Sequence, residues 1–303
     1  MRLVTRSDFD GLACAVLLRS LGLITEYKFA HPKDLQDGIV EVTSSDVLAN
    51  VPYVEGCGMW FDHHTSEHER LGDITYEGCS KPAPSCARVI WEYYGGLERF
   101  SAHLEPMMEA VDKVDSGNLS YEDFSDPKGW VLLGLIMDPR TGLGRYHDYR
   151  ISNYQLMLAM IEYCGTMNAE EILALPDVIE RTARYFEQQR DFVAMIKRRA
   201  SMEDNVLLLD LRREGEIFSG NRFLVYGMYP SCNVSVQVIW GKDCQNVVLT
   251  VGYSILNRTC TADVGSLMLK YGGGGHPRVG TCQVAIEDAD RVIREVVEAL
   301  RGK

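Results

Sequence analysis

Carboxylates, imidazoles and glycines fall at five places in this chain where they could act together on one substrate. Asp8-Phe9-Asp10-Gly11 sets two carboxylates two residues apart beside a glycine that lets the backbone come close. Taken alone, the same residues also read as helix capping. Asp62-His63-His64 follows the apolar Met59-Trp60-Phe61, and oxygen and nitrogen ligands side by side suit a divalent transition metal such as Mn²⁺. His68, a little further on, reads as a surface histidine. Asp115-Ser116-Gly117 ends an apolar-patterned helix, where Asp115 is able to turn back toward a sheet edge. Asp46 follows a β-prone run at 38–43 and is expected to be one more strand-end carboxylate. Gly272-Gly273-Gly274-Gly275-His276 sets four glycines in a row, costly to order unless their N–H groups contact a phosphate or base.

These residues need a scaffold that brings them to one edge. Residues 2–5, 38–43 and 59–61 are β-prone, while 9–21, 85–94 and 102–114 carry helical patterns. Such alternation predicts an α/β fold with a doubly wound parallel sheet, whose ligands bind beyond the carboxyl ends of the strands. Residues 127–200 read as a mostly helical connector. From 206 a smaller C-terminal α/β domain is expected, with strands at 206–211, 222–226, 246–253 and 280–286 and helices at 231–240, 264–271 and 289–300. A junction near 201–205 divides the chain into 1–200 and 201–303. Acidic groups at successive strand ends are what two divalent ions about 3.5–4 Å apart need, and such ions activate water and neutralise charge on phosphorus.

Composition narrows the class. Apolar residues make up 46% and charged residues 24% of the 303, so a folded chain of about two domains is expected. A net charge of −12 argues against coating duplex DNA, although a metal or local basic cluster still permits a small anionic substrate. The nine cysteines are scattered with no Cys-x-x-Cys pair, which speaks against a zinc knuckle or disulfide scaffold and for a reducing cytoplasm. The apolar stretches at 12–18 and 130–137 fall far short of the roughly 20 residues that span a bilayer. Asp8 and Asp10 come too early for a signal peptide.

Taken in order, these motifs resemble those of the DHH phosphoesterase superfamily with its C-terminal DHH-associated domain, over essentially the whole chain. The resemblance implies a hydrolase that uses Mn²⁺, one ion or two, with Mg²⁺ or Co²⁺ as substitutes. It implies that Asp8 ligates a first ion, that Asp10, His63 and Asp115 ligate a second, and that Asp46 bridges them. Asp62 either ligates or orients its neighbours, and His64 contacts the scissile phosphate and helps protonate the leaving group. Gly273, Gly274, Gly275 and His276 would hold a terminal nucleotide or phosphate, with Arg258 as a substrate-binding cation.

Two positions depart from the pattern. Family members usually carry His two residues before the first Asp, where this chain has Arg6. A guanidinium has no free lone pair and cannot ligate a metal. Arg6 is expected to contact a substrate phosphate or pair with a site carboxylate; another histidine, such as His31, is the weaker substitute ligand. After the glycine run, Pro277-Arg278 stands in place of small residues and adds charge. The leading expectation is a metal-dependent phosphodiesterase acting on a short oligonucleotide or a linear or cyclic dinucleotide. An exopolyphosphatase and a non-catalytic nucleotide-binding protein are the alternatives. No membrane partner is expected, and a homodimer is compatible with the sequence.

Overall fold

The computed structural model describes residues 1–64, 67, 70–72 and 74–303; His68 lies outside them. The chain divides into a first unit, Met1–Leu119 with Asp126–Phe186, and a second, Ser120–Ser125 with Glu187–Lys303. The division therefore falls inside a long helix, and the polar patch at 201–205 belongs to a β-hairpin of the second unit.

The first unit is built on β1 (Arg2–Thr5), β2 (Glu26–Phe29), β3 (Asp46–Ala49), β4 (Met59–Asp62) and β5 (Gly78–Ser80). All pair in parallel, in the order β2-β1-β3-β4-β5. The chain leaves β1 for β2 on one side and returns to β3 on the other. The carboxyl ends of β1 and β3 therefore form a switch point, the place where an open parallel sheet leaves a crevice. Leu3, Val4, Val47, Leu48, Trp60 and Phe61 are fully or almost fully buried, as strands covered on both faces require. After β1 comes α1 (Phe9–Ser20), buried without interruption from Phe9 to Leu18. The short α2 (Pro32–Gln36) follows β2. Around α1 pack α3 (Cys86–Tyr93), α4 (Glu105–Ser116) and, beyond α5 (Tyr121–Ser125) and α6 (Gly129–Met137), α7 (Asn153–Thr166). α8 (Ala169–Leu173) and the long α9 (Pro176–Arg199) complete the helical stretch.

The second unit carries a mixed sheet of β6 (Ala200–Glu203), β7 (Val206–Asp210), β8 (Val234–Trp240), β9 (Val247–Tyr253), β10 (Gly274–His276) and β11 (Val279–Val284), in the order β10-β11-β9-β8-β7-β6. Only the β7–β8 pairing is parallel. The small α10 (Leu224–Met228) and α11 (Val264–Leu269) lie between strands, and α12 (Ala289–Leu300) buries Val292, Ile293, Val296, Val297 and Leu300 along one face. Residues 120–125 belong here in part because the buried Asn221 side chain donates to the Phe124 carbonyl at 3.1 Å.

Several elements differ from the sequence expectation. Residues 231–240, read as helix, form β8, because Val234, Val236 and Val238 alternate with less buried neighbours at period two. Residues 222–226, read as strand, lead into α10. The run at 38–43 forms no strand; the strand begins at Asp46 instead. β2 and β5 have no counterpart in the sequence reading, being short, half-buried edge strands with little apolar signature. Among the described residues no helix is long and apolar enough to cross a membrane, and the nine cysteines are unpaired.

Candidate metal centre

The first site residues come from the turn that joins β1 to α1. Asp8 caps the helix, its Oδ1 accepting from the Gly11 N–H at 3.0 Å. Gly11 has no substitute here, since a Cβ would lie 2.1 Å from the Arg6 carbonyl oxygen. Asp10, in the first turn of α1, points its carboxylate at the N-terminus of α3, where the N–H groups of Cys86 and Ala87 donate at 2.9 and 2.8 Å. Burial, reinforced by the nearby Asp115 and Asp8 carboxylates, nevertheless pushes the Asp10 carboxyl well above its usual range.

β4 and α4 bring in the remaining groups. His63 follows β4 directly, and its Nδ1 lies 3.2 Å from the Ala83 carbonyl. A carbonyl accepts only, so Nδ1 donates to it and Nε2 is the ring atom turned toward the carboxylates. That Nε2 is buried, has no hydrogen-bond partner among the described residues, and stands 3.4 Å from Asp115 Oδ2 and 3.7 Å from Asp10 Oδ2. Asp115 reaches this point from the last turn of α4, and burial raises its carboxyl against the pull of His63. Ligand atoms of Asp10, His63 and Asp115 all lie within 4.8 Å of one another. The buried Asp10 carboxylate and the more exposed one of Asp115, beside a buried imidazole nitrogen, make an oxygen and nitrogen set suited to a divalent cation, which would relieve the repulsion between the two carboxylates.

Neighbouring groups hold these residues in place and supply charge. Asp62, the last residue of β4, is fully buried and takes His64 Nδ1 at 2.7 Å. Burial pushes His64 down, but the hydrogen bond and charge of Asp62 outweigh it and raise the imidazole. Arg6 places Nε 3.1 Å from Asp8 Oδ2, an ion pair with the carboxylate that caps α1. A small cavity opens among Asp8, Asp10, Asp115, Asp138 and Arg140, walled by Phe9, Val111 and Val114. Arg140 is anchored there by Nε on Asp138 Oδ1 at 2.7 Å, which leaves its terminal nitrogens without a hydrogen bond among the described residues.

Asp46 does not join this group, a correction to the bridging role expected for it. It is the first residue of β3 and pairs in register with Arg2, the first of β1, so it lies at the opposite end of the sheet. There Arg2 Nε and Nη2 donate to its two oxygens at 2.7 and 3.0 Å, and the Thr43 N–H adds a bond of 2.7 Å. The residue that does follow β3 toward the site is Asn50, with positive φ of 57° and Nδ2 3.2 Å from Asp8 Oδ1. Sequence reasoning missed Asn50 and Arg140. The apolar Val47-Leu48-Ala49 ending in Asn pointed to the first; no pattern announced the second.

The remaining expected residues belong to the second unit. Gly274, Gly275 and His276 form β10 and pair with β11. Gly275 has φ of 153°, and a Cβ there would meet the Val279 carbonyl oxygen at 2.2 Å; one at Gly273 would meet that of Thr281 at 2.1 Å. A Cβ at Gly274, by contrast, would meet nothing within 4 Å. Arg258 donates through Nε to the Ile255 carbonyl at 3.1 Å. His31 caps α2 through Nδ1 rather than entering the trio.

No protein-family model matches the chain, and no curated protein sequence does. A pGpG-specific phosphodiesterase, PggH from Vibrio cholerae, matches at 48% identity over 99% of this chain and 98% of its own, with a TM-score of 0.81. An exopolyphosphatase-related protein from Bacteroides fragilis shares the fold at 12% identity, over 98% of this chain and 91% of its own, with a TM-score of 0.55. RecJ from Thermus thermophilus, solved with Mn²⁺, shares it at 14% identity over 100% of this chain and 52% of its own, with a TM-score of 0.52. An end-to-end match near one half identity leaves no doubt about kinship: the chain belongs to the DHH superfamily of phosphoesterases.

Proposed function

We propose that this protein hydrolyses the internal phosphodiester of a linear dinucleotide of the pGpG type, releasing two nucleoside 5′-monophosphates. The observation that carries the reading is the Asp10–His63–Asp115 trio, whose buried His63 Nε2 has no hydrogen-bond partner among the described residues, in a chain that matches a pGpG-specific phosphodiesterase from end to end. Asp10, His63 and Asp115 would hold a divalent ion, with Mn²⁺ the first choice for a mixed oxygen and nitrogen set. When bound, that ion supplies Lewis acidity to water and to the phosphoryl oxygens.

The chain's own residues supply orientation and proton handling. In the net reaction a water oxygen bonds to phosphorus, the bond from phosphorus to the ribose 3′ oxygen breaks, and one proton ends on that oxygen. Asp62 fixes the His64 ring through Nδ1, so the proton for the leaving oxygen passes by way of Nε2. Arg140, tethered to Asp138 beside Asp8 and Asp115, offers its terminal nitrogens to a phosphate oxygen. In the second unit, Arg258, Gly274 and His276 are the proposed contacts for the terminal nucleotide, whereas Gly273 and Gly275 are required by the close backbone approaches around them.

Purified protein with Mn²⁺ should convert pGpG to the monophosphate and lose that activity to a chelator. A cyclic dinucleotide and polyphosphate serve as competing substrates. Faster turnover of polyphosphate than of pGpG would overturn the assignment in favour of phosphoanhydride cleavage.

A further inference from the structure

The carboxylate of Asp8 lies beside the trio yet outside it, and its hydrogen bonds explain why. Oδ1 accepts from two donors, the Gly11 N–H at 3.0 Å and Asn50 Nδ2 at 3.2 Å, which uses both of its lone pairs. Oδ2 faces the Arg6 guanidinium, with Nε at 3.1 Å. A dication approaching Oδ2 would stand against a fixed positive charge. The strand-end residue on the other side, Asn50, brings a neutral amide, and the carboxylate of Asp46 is committed to Arg2 at the far end of the sheet. The charges agree with the geometry: one divalent ion together with Arg6 neutralises the three carboxylates of Asp8, Asp10 and Asp115.

We infer that this centre takes a single divalent ion, on Asp10, His63 and Asp115, and that the Arg6 guanidinium, locked on Asp8 with the help of Asn50, holds the place and charge of a second. The inference rests on the reading of the trio as a metal site. It gives Arg6 a definite task, to keep Asp8 neutralised and to present its remaining N–H groups toward the substrate phosphate.

Mn²⁺ titration followed by calorimetry, elemental analysis and electron paramagnetic resonance tests it without reference to turnover. The wild-type chain should bind one ion and give the six-line spectrum of isolated Mn²⁺. Two ions per chain with a spin-coupled spectrum would overturn the inference while leaving the trio intact as a metal site. No bound ion at all would instead remove the metal reading itself. The double variant Arg6→His, Asn50→Asp should gain a second ion. If that variant melts cooperatively and still binds one, Arg6 and Asn50 are not what excludes the second, and the assignment fails. Should it not fold, the wild-type stoichiometry decides alone.

Discussion

His63 Nε2, a buried ring nitrogen, stands 3.4 Å from Asp115 Oδ2. A ring nitrogen and a carboxylate oxygen so placed draw together over a cation, and with the Asp10 carboxylate alongside, the proposed cation is the divalent ion. His63→Ala and Asp115→Asn should therefore each lower bound Mn²⁺ and reduce pGpG turnover by at least about 100-fold, the upper end of what losing a mere supporting group costs. Elemental analysis and single-turnover assays on protein with a wild-type circular dichroism spectrum decide it. Retention of both ion and turnover in His63→Ala would contradict the site.

Asp46 gives the opposite prediction. Although burial alone would raise its carboxyl, the Arg2 hydrogen bonds more than offset this and hold it below the usual range. A group depressed in the folded state stabilises above its unfolded value, near 3.9, and that contribution disappears as the pH falls through the folded value. Asp46→Asn should cost about 1–2 kcal/mol at neutral pH, a modest figure because the Arg2 side chain is 31% exposed, and leave metal content unchanged. The gap between variant and wild type in urea melts should close on acidification below about pH 4. A variant of wild-type stability that has lost its ion would restore Asp46 to the metal site.

The glycine run separates into positions with different tasks. Gly275→Ala meets a backbone oxygen at 2.2 Å on a backbone with φ of 153°, and should destabilise by about 2–3 kcal/mol. Gly274→Ala finds open space and should melt like the wild type. A rise in KM for pGpG confined to Gly274→Ala would mark that position as a ligand contact, whereas unchanged KM and unchanged melting would remove it from the binding surface.

Arg140→Gln should raise KM for pGpG about 10- to 100-fold, the range expected when one charge-assisted phosphate contact is lost. Bound metal should stay unchanged, because Arg140 reaches Asp138 rather than the trio through its hydrogen bond. An unaltered KM would show that its terminal nitrogens do not meet substrate.

Much of this protein is legible in the order of its residues. Asp8-Phe9-Asp10-Gly11 and Asp62-His63-His64 each keep their chemistry within one turn after one strand, so local order alone sets their spacing and the parallel sheet carries both to the same edge. Asp46 and Asn50 are not legible in the same way. They bound a single strand of four residues, and moving the start of that strand along the chain exchanges which of them faces the site. Residues 231–240 pose a similar ambiguity, since a short apolar run satisfies helix and strand alike until neighbouring strands select one. Sequence by itself determined which residue types are able to bind a metal and the family that their order resembles, because those follow from residue identity. Only the tertiary structure decided which carboxylates meet and which are neutralised by Arg2 or Arg6, because that depends on where strands start and end and on pairings between residues far apart in the chain.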